Sequence, residues 1–178
     1  IPYGLAMMVL NLSDRYMIKY YLDLKQVGLY SIGYKFGFIL QLLINALGVD
    51  WGRQLFSIAK DTDARDFFSK MISYYLIILL FIWTGLTLFA KDIVIFLTPP
   101  AYHSSYQVIA VIGFAYVAIG ITMILGAGVQ IRNKMQYHAG VHGVAAAVNI
   151  LLNMVLIPKF GIMGAAYATG IAFLIPPV

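Results

Sequence analysis

Cysteine and glutamate are both missing from this sequence of 178 residues. The absence of cysteine excludes a disulfide scaffold and thiolate metal sites. All seven acidic residues are therefore aspartates. A P-loop and a GxSxG motif are also absent. The acidic pair Asp61 and Asp63 lies in a predicted solvated loop, where a run of charges is usually just a polar surface. Nothing therefore supports nucleotide-driven transport or glycosyl transfer, and we expect no enzymatic activity.

Charged residues are scarce as well, and apolar residues replace them. Charged residues make up 11% of the chain, hydrophobic residues 62%, and the mean hydropathy is +0.86. Soluble domains are usually about 25% charged and about 45–50% apolar. The composition therefore predicts a polytopic membrane protein. The net charge of +5 suits basic residues that set the membrane topology and contact lipid. It does not indicate a nucleic-acid partner, because no long basic run is present.

The apolar segments predict an all-α protein with six membrane-spanning helices in a single bundle over 1–178. A span needs about 20 apolar residues, and strand-type alternation is absent. The predicted helices cover 1–22, 27–49, 67–89, 106–131, 137–156 and a shorter segment from Gly161 onward. The chain opens on Ile1 inside an apolar stretch, and Pro176 and Pro177 interrupt another one. We expect a piece of a longer protein, truncated at both ends.

Basic residues predict the orientation of the bundle. Six of the twelve lie in 51–70 and 132–134, whereas the other loops carry only Lys25, Lys91 and Lys159. Loops rich in Lys and Arg stay in the cytoplasm. We therefore predict a cytoplasmic loop at 51–66, a cytoplasmic turn at 132–134, and a first helix that runs from inside to outside.

The segment "NLSDRYMIKYYL" places three charges inside the first predicted helix. Asn11, Arg15 and Lys19 are spaced by four and share one helix face, with Asp14 beside it. A charge at the bilayer centre costs about 2.5–3.5 kcal/mol and usually faces a cavity or a partner. Two interpretations stay open: the charges face a cavity, or the helix is tilted and Arg15 and Lys19 snorkel outward.

The second predicted helix carries a stripe of polar and aromatic residues at spacings of four, three and four: Tyr34, Phe38, Gln41 and Asn45. Lys35 lies next to the stripe. Gln and Asn on such a stripe bind either a neighbouring helix or a substrate, and helix contact is the commoner role. Gly33 and Gly37 form a small-xxx-small pair, which lets a neighbouring backbone approach closely.

The fifth predicted helix has four polar residues on one face: His138, His142, Asn149 and Asn153. Two histidines at i and i+4 are compatible with a metal site. No acid lies nearby in sequence, and an HExxH motif is absent. We therefore expect no metal here, with His138 near the cytoplasmic interface and the asparagines facing the interior of the bundle.

Three segments resemble the flippases of O-antigen and other polysaccharide repeat units. They are "SDRYMIKYYLDLKQVGLYSIGYKF" (13–36), "PPAYHSSYQVIAVIGFAYV" (99–117) and "NILLNMVLIPKFGIMGAAYATGIAF" (149–173). The last contains an Asn on the penultimate helix followed by a GAA-x-AT pattern. This family belongs to the multidrug/oligosaccharidyl-lipid/polysaccharide exporter superfamily. The resemblance spans residues 13–173, and none of these motifs identifies the sugar.

The resemblance implies two six-helix repeats around a central cavity, of which this chain is the second. It implies flipping of undecaprenyl-pyrophosphate-linked oligosaccharides by alternating access in the bacterial inner (cytoplasmic) membrane. It implies no cofactor beyond H⁺ or Na⁺ for coupling. The expected partners are the lipid-linked oligosaccharide, membrane lipids, and polysaccharide polymerase and export proteins. Asp14 is the expected ion-coupling residue, and the expected substrate-binding residues are Asn11, Arg15, Lys19, Lys35, Gln41, Asn45, Asn149 and Asn153.

Three alternative functions remain to be weighed against flipping. An ion-coupled multidrug efflux transporter has a similar fold, but its cavity favours organic cations, and three intramembrane cations argue against it. A membrane-embedded glycan polymerase or ligase normally needs a large external loop, and none is long here. A membrane scaffold without transport activity has no use for charges inside a span.

Overall fold

The computed structural model describes the backbone of residues 2–46, 48, 64–125 and 135–175. Side chains are described for residues 8, 12–46, 48, 67, 69–123 and 140–175. The predicted turn at 132–134 lies outside the described residues. So does the predicted loop at 51–66, apart from its last three residues, which belong to a helix.

Helices make up almost all of the described residues, and no strand occurs among them. In chain order they are α1 (Pro2–Tyr21), α2 (Leu24–Gly37), α3 (39–46), α4 (Ala64–Leu88), α5 (Ala90–Leu97), a 3₁₀ helix (Pro100–Ser105), α6 (Tyr106–Leu125), α7 (Met135–Phe160) and α8 (Ile162–Leu174). Asp23 starts α2 as its N-cap, since its Oδ1 accepts a hydrogen bond from the Gln26 N–H at 2.7 Å.

Among the described residues, four segments are long and apolar enough to cross a membrane: Leu24–Ala46, Ser69–Leu88, Pro100–Met123 and Gly140–Phe160. They correspond to four of the six predicted spans. The prediction of an all-α membrane protein is therefore confirmed. The other two predicted spans differ for physical reasons: α1 has 20 residues but carries three charges, and α8 has only 13 residues.

The helix α7 ends at Phe160, four residues beyond the predicted end at 156. Pro158 lies inside α7, which continues to Phe160. A proline lacks only its own N–H, and the next bonds of the last turn still form, with the Gly161 N–H donating to the Ile157 carbonyl at 2.9 Å. Gly161 then reverses the chain with a φ of 59°, which a residue without a side chain adopts easily.

The short helix α8 occupies the centre of the bundle. It packs against α7 and α6 and also touches α1 and α2, while α1 packs on α7 and α2 packs on α6. Small residues make this crowding possible, because eight of its thirteen residues are buried and most of them are glycine or alanine. α4 packs on α6, and most of its largely apolar surface is not buried against the rest of the described structure.

The predicted close approach at Gly33 and Gly37 is present between α2 and α6. A Cβ on Gly33 would lie 2.7 Å from Val108 Cβ. A Cβ on Gly37 would lie 2.7 Å from Ile112 Cγ2. Both distances are shorter than real Cβ contacts allow, so only glycine lets the two helices pack at this spacing.

This contact predicts that Gly37→Leu destabilises the bundle by about 1–3 kcal/mol, because overpacking must push α2 away from α6. Gly85→Leu is the matched control, since a Cβ at Gly85 has no atom within 4 Å. The thermal midpoint of the complete protein in detergent measures both. Equal falls for the two variants would contradict a tight α2–α6 contact.

Candidate functional site

Asp14 is fully buried in the interior of the bundle, where α1 meets α2, α7 and α8. Its Oδ1 accepts a hydrogen bond from Asn153 Nδ2 at 2.7 Å. Its Oδ2 accepts two more, from the Tyr30 hydroxyl and from Thr169 Oγ1, each at 2.6 Å. The three donors are uncharged and come from three other helices. The carboxyl group therefore joins four helices through neutral groups.

A second layer of amide and hydroxyl groups surrounds these bonds. Asn149 Oδ1 accepts from Ser13 Oγ at 3.0 Å and from Asn153 Nδ2 at 3.1 Å. Asn149 Nδ2 donates to Thr169 Oγ1 at 3.5 Å. We call these six residues the Asp14 cluster: Ser13, Asp14, Tyr30, Asn149, Asn153 and Thr169.

One acceptor atom in the cluster has no hydrogen-bond partner among the described residues. It is Asn153 Oδ1, which is buried. Buried polar atoms are normally paired, so an orphaned oxygen beside a carboxyl group calls for an explanation. Oxygen atoms of carboxyl, amide and hydroxyl groups are the ligands that hard cations prefer. The composition of the cluster therefore suits a proton or a small hard cation.

Helix geometry and small neighbours bring the cluster together. Asn149 and Asn153 are four residues apart, so both lie on the same face of α7. Ala145 and Ala146 on the same helix are buried, as are Ala165 and Ala166 on α8. Without bulk at these positions, α1 and α8 approach α7 closely enough for side chains as short as Ser, Thr and Asp to meet.

Arg15 follows Asp14 in the chain but contacts α2 instead of the cluster. Its Nε donates to Ser31 Oγ at 3.3 Å, and its guanidinium carbon lies 4.8 Å from the centre of the Tyr34 ring. This is the geometry of a cation–π contact. The Tyr34 hydroxyl accepts in turn from the Tyr116 hydroxyl at 2.9 Å. Arg15 is half-buried, and its guanidinium group packs over the Tyr34 ring.

The other predicted binding residues of α1–α3 lie at the surface of the described structure. Lys19 and Lys35 are exposed, Asn45 is exposed and Gln41 is partly so. We call the set formed by Arg15, Lys19, Lys35, Gln41 and Asn45 the cation-bearing surface. The side chain of Asn11, predicted to share the face of Arg15 and Lys19, lies outside the described residues.

The predicted polar stripe on the second helix divides into two parts. Tyr34 is buried, and the Phe38 ring packs edge-on against Tyr116 with centroids 5.8 Å apart. Farther along, Gln41 Nε2 donates to Asn45 Oδ1 at 2.8 Å, within one helix rather than between two. The amides of this stripe therefore bond to each other.

The two histidines that we considered as metal ligands, His138 and His142, both lie on α7. The side chain of His138 lies outside the described residues, and His142 is partly buried. Within the described part of the chain, no group of three or more His, Cys, Asp or Glu side chains is placed to hold a metal ion.

The predicted site residues thus separate into two neighbouring places, and three cluster members were not predicted. Asn149 and Asn153 meet Asp14, whereas the basic residues lie on α1 and α2. Ser13, Tyr30 and Thr169 were missed. Tyr30 lies one turn before Tyr34, so extending the stripe backward would have found it. Thr169 is the one hydroxyl or charged side chain among the buried residues of α8.

Comparison with protein-family models, with curated proteins and with solved structures finds no match to this chain. The functional assignment therefore depends on the residues and their geometry.

The cluster predicts that Asn153→Ala destabilises the complete protein by about 1–3 kcal/mol, because it removes a donor from a buried carboxyl group. The matched control is Asn45→Ala, since Asn45 is exposed and its described bond is to Gln41 in the same helix. Thermal unfolding in detergent compares the two. A loss at Asn153 no larger than at Asn45 would show that the cluster does not hold the helices together.

Proposed function

We propose that the protein moves an anionic, lipid-linked oligosaccharide across a membrane by alternating access. The proposed substrate is an undecaprenyl-pyrophosphate-linked repeat unit for cell-surface polysaccharide. The observation that carries the proposal is the pairing of two sites on consecutive residues. Asp14 enters a buried oxygen-rich cluster, and Arg15 supports a cation-bearing surface.

The cation-bearing surface supports an anionic substrate. Arg presents a planar fork that can bind two diphosphate oxygens at once, whereas Lys acts as a point charge. Arg15 is held against Tyr34 and Ser31, so its side chain is partly ordered before a ligand arrives. Exposed Lys19 and Lys35 add positive charge on the same pair of helices. Placing charges on membrane helices is energetically unfavourable, and binding of a diphosphate would offset that free energy.

The Asp14 cluster supports ion coupling by H⁺ or Na⁺. Proton uptake or cation binding at the carboxyl group would change the charge at the junction of four helices. Asn153 Oδ1, orphaned beside the carboxyl group, is an additional oxygen that a cation could use. A proton would need no such oxygen. Transport measured with imposed proton and sodium gradients in turn distinguishes the two ions, and transport indifferent to both would exclude coupling.

The proposed function also implies the class of protein, its need for a cofactor and its location. Translocation changes no covalent bond, so we propose a transporter rather than an enzyme, with no cofactor. The proposed location is the bacterial cytoplasmic membrane, because lipid-linked repeat units must cross it to reach the polymerase and export proteins. Multidrug efflux fits less well, since a surface with three cations would repel organic cations.

The proposal predicts that Arg15→Gln slows transport of a diphosphate lipid about tenfold or more, as expected for loss of a charge-assisted contact of about 1.5–3 kcal/mol. Arg15→Lys should restore only part of the rate, because Lys lacks the planar fork. The complete protein in liposomes is assayed with a fluorescent polyprenyl-diphosphate sugar, whose outward movement exposes it to dithionite.

Lys91→Gln is the matched control, because it removes one exposed positive charge on α5, outside the cation-bearing surface. It should transport at the unmodified rate. Arg15→Gln transporting as fast as Lys91→Gln would refute a diphosphate-binding role for Arg15. Transport of organic cations with no movement of the diphosphate lipid would favour drug efflux instead.

A further inference from the structure

Tyr30 is the only described member of the Asp14 cluster that belongs to α2. It is fully buried, and its hydroxyl donates to Asp14 Oδ2 at 2.6 Å. The other two groups that donate to the carboxyl oxygens come from α7 and α8. The Tyr30 hydroxyl therefore makes the direct hydrogen bond between Asp14 and α2, the helix that also carries Ser31, Tyr34 and Lys35.

The hydrogen bond from Tyr30 competes with any proton or cation that binds Asp14 Oδ2. Oδ2 accepts from two hydroxyls at once, which a carboxylate can do with its several lone pairs. A proton or a bound cation at this oxygen occupies lone pairs and opposes at least one donor. Neither hydroxyl has another acceptor at a short distance among the described residues. The nearest alternative for the Tyr30 hydroxyl is Thr169 Oγ1 at a long 3.5 Å, and Asn149 Nδ2 donates to Thr169 Oγ1 rather than accepting from it.

Losing this acceptor has a consequence for α2. A buried hydroxyl without an acceptor is unfavourable, so loss of the acceptor favours a reorientation or movement of Tyr30. The Tyr30 ring packs against the Tyr34 ring with centroids 5.7 Å apart. The Tyr34 ring also packs against the Arg15 guanidinium group. A change at Asp14 thus reaches Arg15 through two aromatic rings that lie one turn apart on the same helix.

We infer that Tyr30 is the positioning residue that couples the charge state of Asp14 to the geometry of the diphosphate-binding surface. This inference rests on the proposed function, in which Asp14 takes up the coupling ion and Arg15 binds the substrate. The groups that face Asp14 are Ser13 from α1, Tyr30 from α2, Asn149 and Asn153 from α7, and Thr169 from α8. Arg15 and Tyr34 are the nearest further ionisable groups that the coupling reaches.

Coupling is measured as a ratio of affinities, which loss of stability alone does not change. The complete protein in nanodiscs is titrated with geranylgeranyl diphosphate at low and high pH, and in sodium chloride and choline chloride. In the unmodified protein, the affinity should change about fivefold or more with one of these pairs, the lower end of usual coupling between sites. In Tyr30→Phe, the diphosphate should still bind, but the ratio should fall to within about twofold of one.

Tyr75→Phe is the matched control. It also removes a hydroxyl from a tyrosine, and the Tyr75 hydroxyl oxygen is buried without a hydrogen-bond partner in the described structure. The control should keep the unmodified ratio. If Tyr30→Phe also kept it, the inference would fail while the proposed function stood. If the unmodified protein bound no diphosphate, or bound it with no ion dependence, the proposed function would fail and the inference with it.

Hydrogen exchange on the unmodified protein tests the same inference if Tyr30→Phe does not fold. Changing the ion that altered diphosphate affinity should change the exchange protection of α2 (Leu24–Gly37). Protection changes restricted to α7 and α8 would overturn the role of Tyr30, because the signal would then bypass α2.

Discussion

A carboxyl group without contact with water needs hydrogen-bond donors, and the arrangement of this bundle supplies them. Asp14 is fully buried, and its donors come from α2, α7 and α8. An unpaired buried polar group costs several kcal/mol in an apolar environment. Separating these helices from α1 would leave the carboxyl group without its donors and incur this free-energy cost, which the packed bundle avoids. The small residues of α8 and the Gly161 turn make sense as the means of bringing Thr169 to the carboxyl group.

The same arrangement explains why the two candidate sites are neighbours. Asp14 and Arg15 are consecutive, so a helix that points one of them into the bundle turns the other by about 100°, toward α2. One side of α1 thus meets neutral oxygens and amides, and the next side meets an aromatic surface that holds a cation. In the proposed function, the connection between ion uptake and anion binding runs through α2, which contacts both Asp14 and Arg15.

Much of the helical architecture could be predicted from apolar runs, because a span has a fixed length and loops are rich in Gly, Pro and charge. The start of α6 at Tyr106 and the chain reversal at Gly161 follow from such signals. Partners across the bundle could not be predicted in this way. Helical periodicity placed Asn149 and Asn153 on one face of α7, but it contains no information about which residues of α1 and α8 lie opposite. Thr169 was therefore missed.

The contacts of Gln41 and Asn45 also differ from what the sequence predicted. A polar stripe on a membrane helix usually contacts another helix, yet these amides bond to each other. The reason lies in Gly33 and Gly37, which set the face of α2 that packs on α6. The stripe lies on a neighbouring face, so its continuation in α3 turns away from α6 toward the surface. The first half of the stripe, Tyr34 and Phe38, still contacts Tyr116 of α6, whereas Gln41 is partly exposed and Asn45 is exposed.

The most direct test of an ion-sensing Asp14 is transport by Asp14→Asn in the complete protein, with and without the driving ion gradient. The amide keeps the size of the carboxyl group and can still accept hydrogen bonds, but it cannot take up a proton or carry a negative charge. We expect slow transport that no longer responds to the gradient, while the matched change Asp92→Asn, at an exposed acid on α5 outside the cation-bearing surface, leaves the response in place. Asp14→Asn transport that is intact and still follows the gradient would contradict the account.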